Sequence, residues 1–320
     1  NKARSIVDQE LRSLEWVEAL GHKRIFAVGG AWRTLGRIHM EQMGYNLSVL
    51  QRYKIPRDEV ISLATLIAGQ SSASLSQMKM IPRHRHESMA YSAVVFEGLM
   101  KRFDFQEIEI SANGIREGLL YDGLDADLKA EDPLLRSARG MARRLSRTPA
   151  LGAELYDWCR DIFEYKDVEG QVKKHKRLIK AACEMSNIAW RAHADHRGPN
   201  AFREVLFGPV GGLDHPQRLF LALALYHRYV SKPPKLKAYK GILTDQERRL
   251  AEKIGLVLQL GIKLSTGSLH VLPECQIKLS KTHLSLYVPK QHADLVGESL
   301  ENRLATIAKQ FKRSPKLKIT

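Results

Sequence analysis

Lys23-Arg24-Ile25-Phe26-Ala27-Val28-Gly29-Gly30-Ala31-Trp32-Arg33 opens as a short apolar strand and breaks at two glycines. From 31 to 43 the spacing is that of a helix. A strand that passes through glycines into a helix is a unit of α/β architecture. It also leaves free backbone N–H groups at a helix start with no Cβ in the way, which suits an anionic phosphate. Two glycines after a strand are equally the mark of a plain tight turn. Neither a full Walker A sequence nor GxGxxG occurs in the chain.

Outward from that junction, strand and helix signals alternate. Helical stripes are expected over 5–20, from Pro56 onward and over 86–103, and strands over 47–53 and 105–110. Residues 71–76 read as a Ser-rich loop. Ser111-Ala112-Asn113-Gly114-Ile115-Arg116-Glu117-Gly118 repeats the strand, turn, helix order. Asn-Gly favours positive φ, and Arg116 falls in the first turn of the following helix, where a cation opposes the dipole. Such a cation implies a nearby anion or an ion pair.

Past an acidic, turn-rich linker at 123–132, the chain reads as helix over 134–145, 150–163, 174–194 and 216–229. Lys232-Pro233-Pro234-Lys235 marks a boundary. A helix over 245–263, strands over 275–279 and 283–288, a helix over 297–311 and a final strand over 317–320 complete the pattern. The expected division is 1–124, an α/β section; 125–231, all helical; and 232–320, a small basic α+β domain.

The 320 residues carry 51 Lys+Arg against 35 Asp+Glu, a net of +16. The last 90 residues hold 17 basic and seven acidic side chains, so most of the excess sits there. Clustered positive charge concentrates polyanions: nucleic acid, polyphosphate or an anionic lipid surface. Apolar residues make up 44% and charged ones 27%, ordinary for a packed globular chain. No apolar run reaches membrane-spanning length. Cys159, Cys183 and Cys275 lack CxxC spacing, which argues for idle thiols in a reducing compartment and a cytoplasmic protein. The chain opens on Asn1 rather than Met, and we expect it to be a piece of a longer protein.

Together, 26–33 and 110–120 resemble the Ppx/GppA phosphatases, the exopolyphosphatases and guanosine pentaphosphate phosphohydrolases. They are similar to that family's nucleotide-side glycine motif and to the closing motif of its second actin-like (ribonuclease-H-like) domain. The position of Arg85 ahead of a long helix also fits. The resemblance implies that 1–124 is the remainder of that actin-like domain, 125–231 a degenerate HD-like helical domain and 232–320 the family's small terminal domain. It implies hydrolysis of a terminal phosphoanhydride bond in polyphosphate or guanosine pentaphosphate, a Mg²⁺ cofactor and a homodimer, whose two-fold interface the helices over 174–194 and 216–229 are candidates to supply. Substrate contacts would fall on Gly29, Gly30, Arg33, Arg85, Asn113, Gly114 and Arg116. Lys173, Lys174, Lys176, Arg177 and Arg197 would line a polyphosphate track.

Two features depart from the family. Its glycine-rich phosphate loops and catalytic glutamate have no counterpart here, since no DxGS stretch occurs. No catalytic residue is therefore expected in this chain, nor hydrolysis by it alone. Where an HD site needs His followed by Asp, this sequence has Met185-Ser186, poor ligands for a hard cation, so no metal is expected there. His193, Asp195 and His196 lie close by, the histidines expected as packing residues or as phosphate partners beside Arg191 and Arg197. Other readings are a catalytically silent regulatory or dimerisation module, and a nucleic-acid-binding protein. The latter would want more aromatics among the basic residues than Tyr239, Tyr287 and Phe311 supply.

Overall fold

The computed structural model describes residues 2–165 and 172–320, with Val172 and Lys173 described by their backbone alone. Two compact units divide the chain, Asn1–Lys129 and Ala130–Thr320. The second contains both sections that the sequence pattern separates at 231/232.

The first unit runs α1 (Lys2–Arg12), α2 (Glu15–Ala19), β1 (Arg24–Val28), α3 (Gly30–Gln42), β2 (Tyr53–Pro56), α4 (Arg57–Ala68), α5 (Ser72–Ser76), α6 (Met89–Arg102), β3 (Glu107–Ser111), α7 (Ile115–Asp122) and α8 (Ala126–Ala130). Its sheet has the order β1-β3-β2, with β1 parallel and β2 antiparallel to the central strand. Ile25 and Ala27 pair with Ile108 and Ile110 and share their face. Ala27, Ile108 and Ile110 are buried in a core with Leu35 and Ile38 of α3 and Val60, Ala64 and Ile67 of α4. The opposite face is polar: Glu109 is buried there between Arg52 (2.8 Å) and Arg24 (3.1 Å), beside the exposed Phe26 and Val28.

Several local expectations shift. The helix over 5–20 is two helices, α1 and α2, interrupted at Ser13 and Leu14. The strand expected over 47–53 starts only at Tyr53, because Arg52 has φ 63° and β2 needs Ile110 opposite it. Residues 72–76 form a helical turn, since the Ser71 hydroxyl accepts from the Ser74 amide as an N-cap. The linker contains α8.

The second unit contains α9 (Pro133–Leu145), α10 (Leu151–Glu164), α11 (Val172–Glu184), α12 (Arg197–Phe207), α13 (His215–His227), α14 (Asp245–Ser265), β4 (Gln276–Leu279), β5 (His283–Val288), α15 (Glu298–Gln310) and β6 (Ser314–Ile319). α11 ends ten residues before its expected limit of Ala194, at a stretch containing Ser186-Asn187, residues whose side chains compete for backbone bonds. α13 and α14 are the core helices. Ten of the thirteen residues of α13 are buried, so it offers no free face for the two-fold interface its apolar pattern suggested. Within it Arg218 donates to the carbonyls of Val205, Gly208 and Val210 at 2.8–2.9 Å, clamping the α12–α13 connection. Thr244 and Glu247 cap α14 reciprocally. β5 lies between antiparallel β4 and parallel β6; the latter begins earlier than expected, at Ser314, and tolerates Pro315 as an edge strand. All three cysteines are free and buried.

Candidate functional site

Parallel pairing puts the carboxyl ends of β1 and β3 side by side, with Val28 opposite Ser111. Each strand runs directly into a helix, α3 and α7, so two helix starts open at one edge of the sheet, where ligands of open α/β sheets bind. Gly29 has φ 120° and ψ 167°, a conformation reserved for glycine, which turns the chain sharply into α3. The Arg33 amide donates to the Gly29 carbonyl (3.1 Å), leaving the amides of Gly30, Ala31 and Trp32 ahead of the helical ladder.

Arg85 lies directly on Gly30. A Cβ at position 30 would come within 2.0 Å of the Arg85 Nη2 and 2.7 Å of its Cζ. Arg85 belongs to a single 3₁₀ turn, Arg83–Arg85, which precedes α6. Trp32 of α3 stacks on Phe96 of α6 with ring centroids 3.7 Å apart, fixing the two helices that carry the glycine and the arginine. No carboxylate within salt-bridge distance of Arg85 is found among the described residues. A guanidinium and a helix N-terminus, both positive, thus face one another without an acidic neutraliser, an arrangement that favours an anion.

The neighbouring loop is braced rather than open. Arg33 donates to the Ala112 carbonyl (2.8 Å), joining the first helix to the second loop. The Ala112 amide donates to Gln51 Oε1 and the Gly114 amide to Glu117 Oε2, each at 2.7 Å. The Gly114 amide, and after it the backbone amide of Glu117 itself, hold the exposed Glu117 carboxyl below its ordinary range, with the Arg116 and Arg33 charges adding to them. Neither Asn113 nor Gly114 has positive φ; Gly114 is extended at φ −134°, so the loop does not use the turn that Asn-Gly suggests. Its shape comes from the Ser111 hydroxyl donating to the Asn113 carbonyl (3.0 Å) and from Glu117.

Gly29, Gly30 and Arg85 meet at one point, and Arg33 ties that point to residues 112–114. Arg116 is exposed, in the first turn of α7. Sequence reading missed Gln51, Glu117 and the Trp32–Phe96 stack. Glu117 makes only the carboxylate half of a capping box, reaching back to the Gly114 amide, because glycine has no side chain to supply the other half and so leaves no full signature in the sequence. Gln51 has no local signature.

In the second unit the basic residues expected to form a track are largely engaged. Lys174 pairs with Glu247 (3.1 Å), Lys176 with Glu164 (3.0 Å) and Arg177 with Asp132 (3.1 Å). Arg197 donates through Nε to the Ala192 carbonyl (3.1 Å). The side chain of Lys173 lies outside the described residues. His193 and His196 are exposed rather than packed, while Asp214 caps α13 by accepting from the Gln217 amide. Among the described residues no three His, Cys, Asp or Glu side chains gather as they would to hold a metal. No helix is long and apolar enough to cross a membrane among them.

By fold, the chain is an α/β protein with a strand–glycine–helix junction on which Arg85 lies, followed by a helix-rich unit carrying a small sheet. A model of the Ppx/GppA phosphatase family matches residues 3–127, and one of the exopolyphosphatase C-terminal region matches residues 134–317. The chain therefore belongs to the Ppx/GppA phosphatase family. No curated protein matches it.

Proposed function

We propose that this chain is the carboxy-terminal part of an exopolyphosphatase-like hydrolase and binds the phosphate chain of its substrate, inorganic polyphosphate or guanosine pentaphosphate. The observation that carries this reading is the Arg85 guanidinium lying on Gly30 at the start of α3. In the reaction a water oxygen bonds to the terminal phosphorus while the bridging oxygen takes the electron pair of the breaking anhydride bond, releasing orthophosphate. Such chemistry rests on positioning and on neutralising charge. Arg85 and the amides ahead of the α3 ladder supply both to phosphoryl oxygens, and Arg33 holds the 112–114 wall against them. Gly114 and Asn113 line that wall, and Arg116 adds positive charge at its rim.

The parent enzyme is taken to work as a homodimer in the cytoplasm, with residues 1–124 completing an actin-like domain and 125–231 a degenerate HD-like one. The Mg²⁺ that the family implies gets no role through this chain's residues. Glu117, whose carboxylate holds the 112–114 wall, is committed to the Gly114 amide and does not stand free as a base. Because the family's glycine-rich loops and catalytic glutamate have no counterpart in this sequence, the chain alone is expected to bind polyphosphate without hydrolysing it. Arg85→Ala should weaken polyphosphate binding about tenfold or more, with Arg85→Lys recovering only part, because lysine lacks the planar fork. Undiminished binding by Arg85→Ala, or phosphate release by this chain at an enzymatic rate, would overturn the proposal.

A further inference from the structure

The small sheet of the second unit has one apolar and one open face. Ile277 of β4 and Leu284, Leu286 and Val288 of β5 are buried on the first, and α15 packs against β5 and β6. Alternation along each strand turns the remaining residues to the other face. Their register forms two rows across the three strands, Gln276–Tyr287–Lys318 and Lys278–Ser285–Lys316. Gln276, Lys278, Lys316 and Lys318 are exposed, and Tyr287 is half-buried on the central strand. The rows contain no carboxylate, and among the described residues none of the three lysines makes an ion pair.

Tyr287 is the centre of this face. The Lys278 ammonium, from β4, lies 5.5 Å from its ring centroid, and that of Lys318, from β6, lies 5.7 Å away. An aromatic ring is thus flanked by cations that both neighbouring strands bring to it. By contrast Phe311, which Lys253 approaches to 5.3 Å, is buried. The ring holds each ammonium by its quadrupole alone, and a charge-assisted hydrogen bond to a phosphoryl oxygen is the stronger partner. A lysine that swings to a phosphate leaves the ring free to receive a base.

We infer that the open face of the second sheet binds single-stranded nucleic acid, one base stacking on Tyr287 and the neighbouring phosphates pairing with Lys278, Lys316 and Lys318. Stacking on an aromatic set in a basic surface is how unpaired strands are held. Polyphosphate has the charge but no base, and a duplex keeps its bases stacked on one another, so the ring selects against both. None of these residues belongs to the Gly30–Arg85 junction, and the inference stands apart from the phosphatase reading.

The test is fluorescence anisotropy of a labelled 12-nucleotide oligouridylate titrated with the 320-residue chain at several salt concentrations. Tyr287→Ala should weaken binding about 5- to 150-fold, the range for loss of one stacked base, and Tyr287→Phe should retain it. Replacing Lys278, Lys316 and Lys318 together by Gln should weaken binding and flatten the slope of log K against log salt by about 2, from three phosphates at about 0.7 each. Those side chains are exposed, so this variant decides if Tyr287→Ala fails to fold. Polyphosphate binding, followed by isothermal titration, should be the same for wild type and Tyr287→Ala. An oligonucleotide affinity untouched by Tyr287→Ala, equal binding of a hairpin duplex of matched charge, or a matching loss of polyphosphate binding in Tyr287→Ala would overturn the inference. The lysines would then be guards of exposed sheet edges.

Discussion

Gly30→Ala tests the meeting of glycine and arginine more sharply than removal of either partner. Position 30 is the first residue of α3 and lacks positive φ, so alanine meets no backbone strain there. What its Cβ meets is Arg85 Nη2, at 2.0 Å where ordinary contact begins at 3.4 Å. The guanidinium must retreat by about 1.4 Å, the difference of those distances. Charge-assisted N–H···O bonds are made at about 2.7–2.9 Å, so that retreat carries the guanidinium out of bonding range of a phosphoryl oxygen. The loss is about 1.5–3 kcal/mol, or about 10- to 150-fold in Kd. Because the shifted atom ends a flexible side chain, Tm should hardly change. The assay is polyphosphate binding by isothermal titration at one fixed salt concentration, for wild type, Gly30→Ala, Arg85→Ala and the double variant. If alanine acts through Arg85, it adds nothing in the Arg85→Ala background. An unchanged Kd for Gly30→Ala, or a full additional loss in the double variant, would refute the reasoning.

Gly29→Ala should behave in the opposite way, lowering the unfolding free energy by about 1–3 kcal/mol in chemical denaturation, because φ 120° excludes a Cβ. Arg218→Met orphans the buried carbonyls of Val205 and Val210 and the half-buried one of Gly208, and its urea midpoint should report a loss of about 3 kcal/mol or more. Glu97 is held below its ordinary carboxyl range: burial alone would raise it, but hydrogen bonds from Lys101, Arg4 and Thr65 outweigh that. Its contribution is therefore complete above the ordinary carboxylate range and disappears as pH falls through the depressed value. Glu97→Gln should lower Tm at neutral pH and reduce the fall in Tm between about pH 5 and pH 3; an acid profile identical to wild type would count against this ion cluster.

Local order was the legible part of this fold. The run from Phe26 to Arg33 announces strand, turn and helix because apolar spacing, two glycines and renewed periodicity lie within a few residues. The pairing of β1 with β3 is not local: some 80 residues separate Val28 from Ser111, and no pattern in either predicts their register. Arg85 came into view through family resemblance, but its place over Gly30 depends on the Trp32–Phe96 stack, a tertiary contact. Leu47 to Tyr53 looks like a strand by composition and fails to be one until Tyr53, where a partner is available. Charge was read least well. Lys174, Lys176 and Arg177 look like free cations in the sequence, yet each has a carboxylate from elsewhere in the chain, whereas Arg228 and Arg303, whose surroundings no local pattern foretells, each keep a buried Nε with no hydrogen-bond partner among the described residues.

The claim that the chain reads phosphate rather than charge in general is tested most directly by competition. Bound polyphosphate is displaced by RNA of matched charge at two salt concentrations, with the wild-type chain and with Arg85→Ala. The wild type should prefer polyphosphate at both salts, and Arg85→Ala should lose that preference while keeping the steep salt dependence of a basic surface. Equal displacement of the wild type by RNA, or a preference unmoved by Arg85→Ala, would contradict the account.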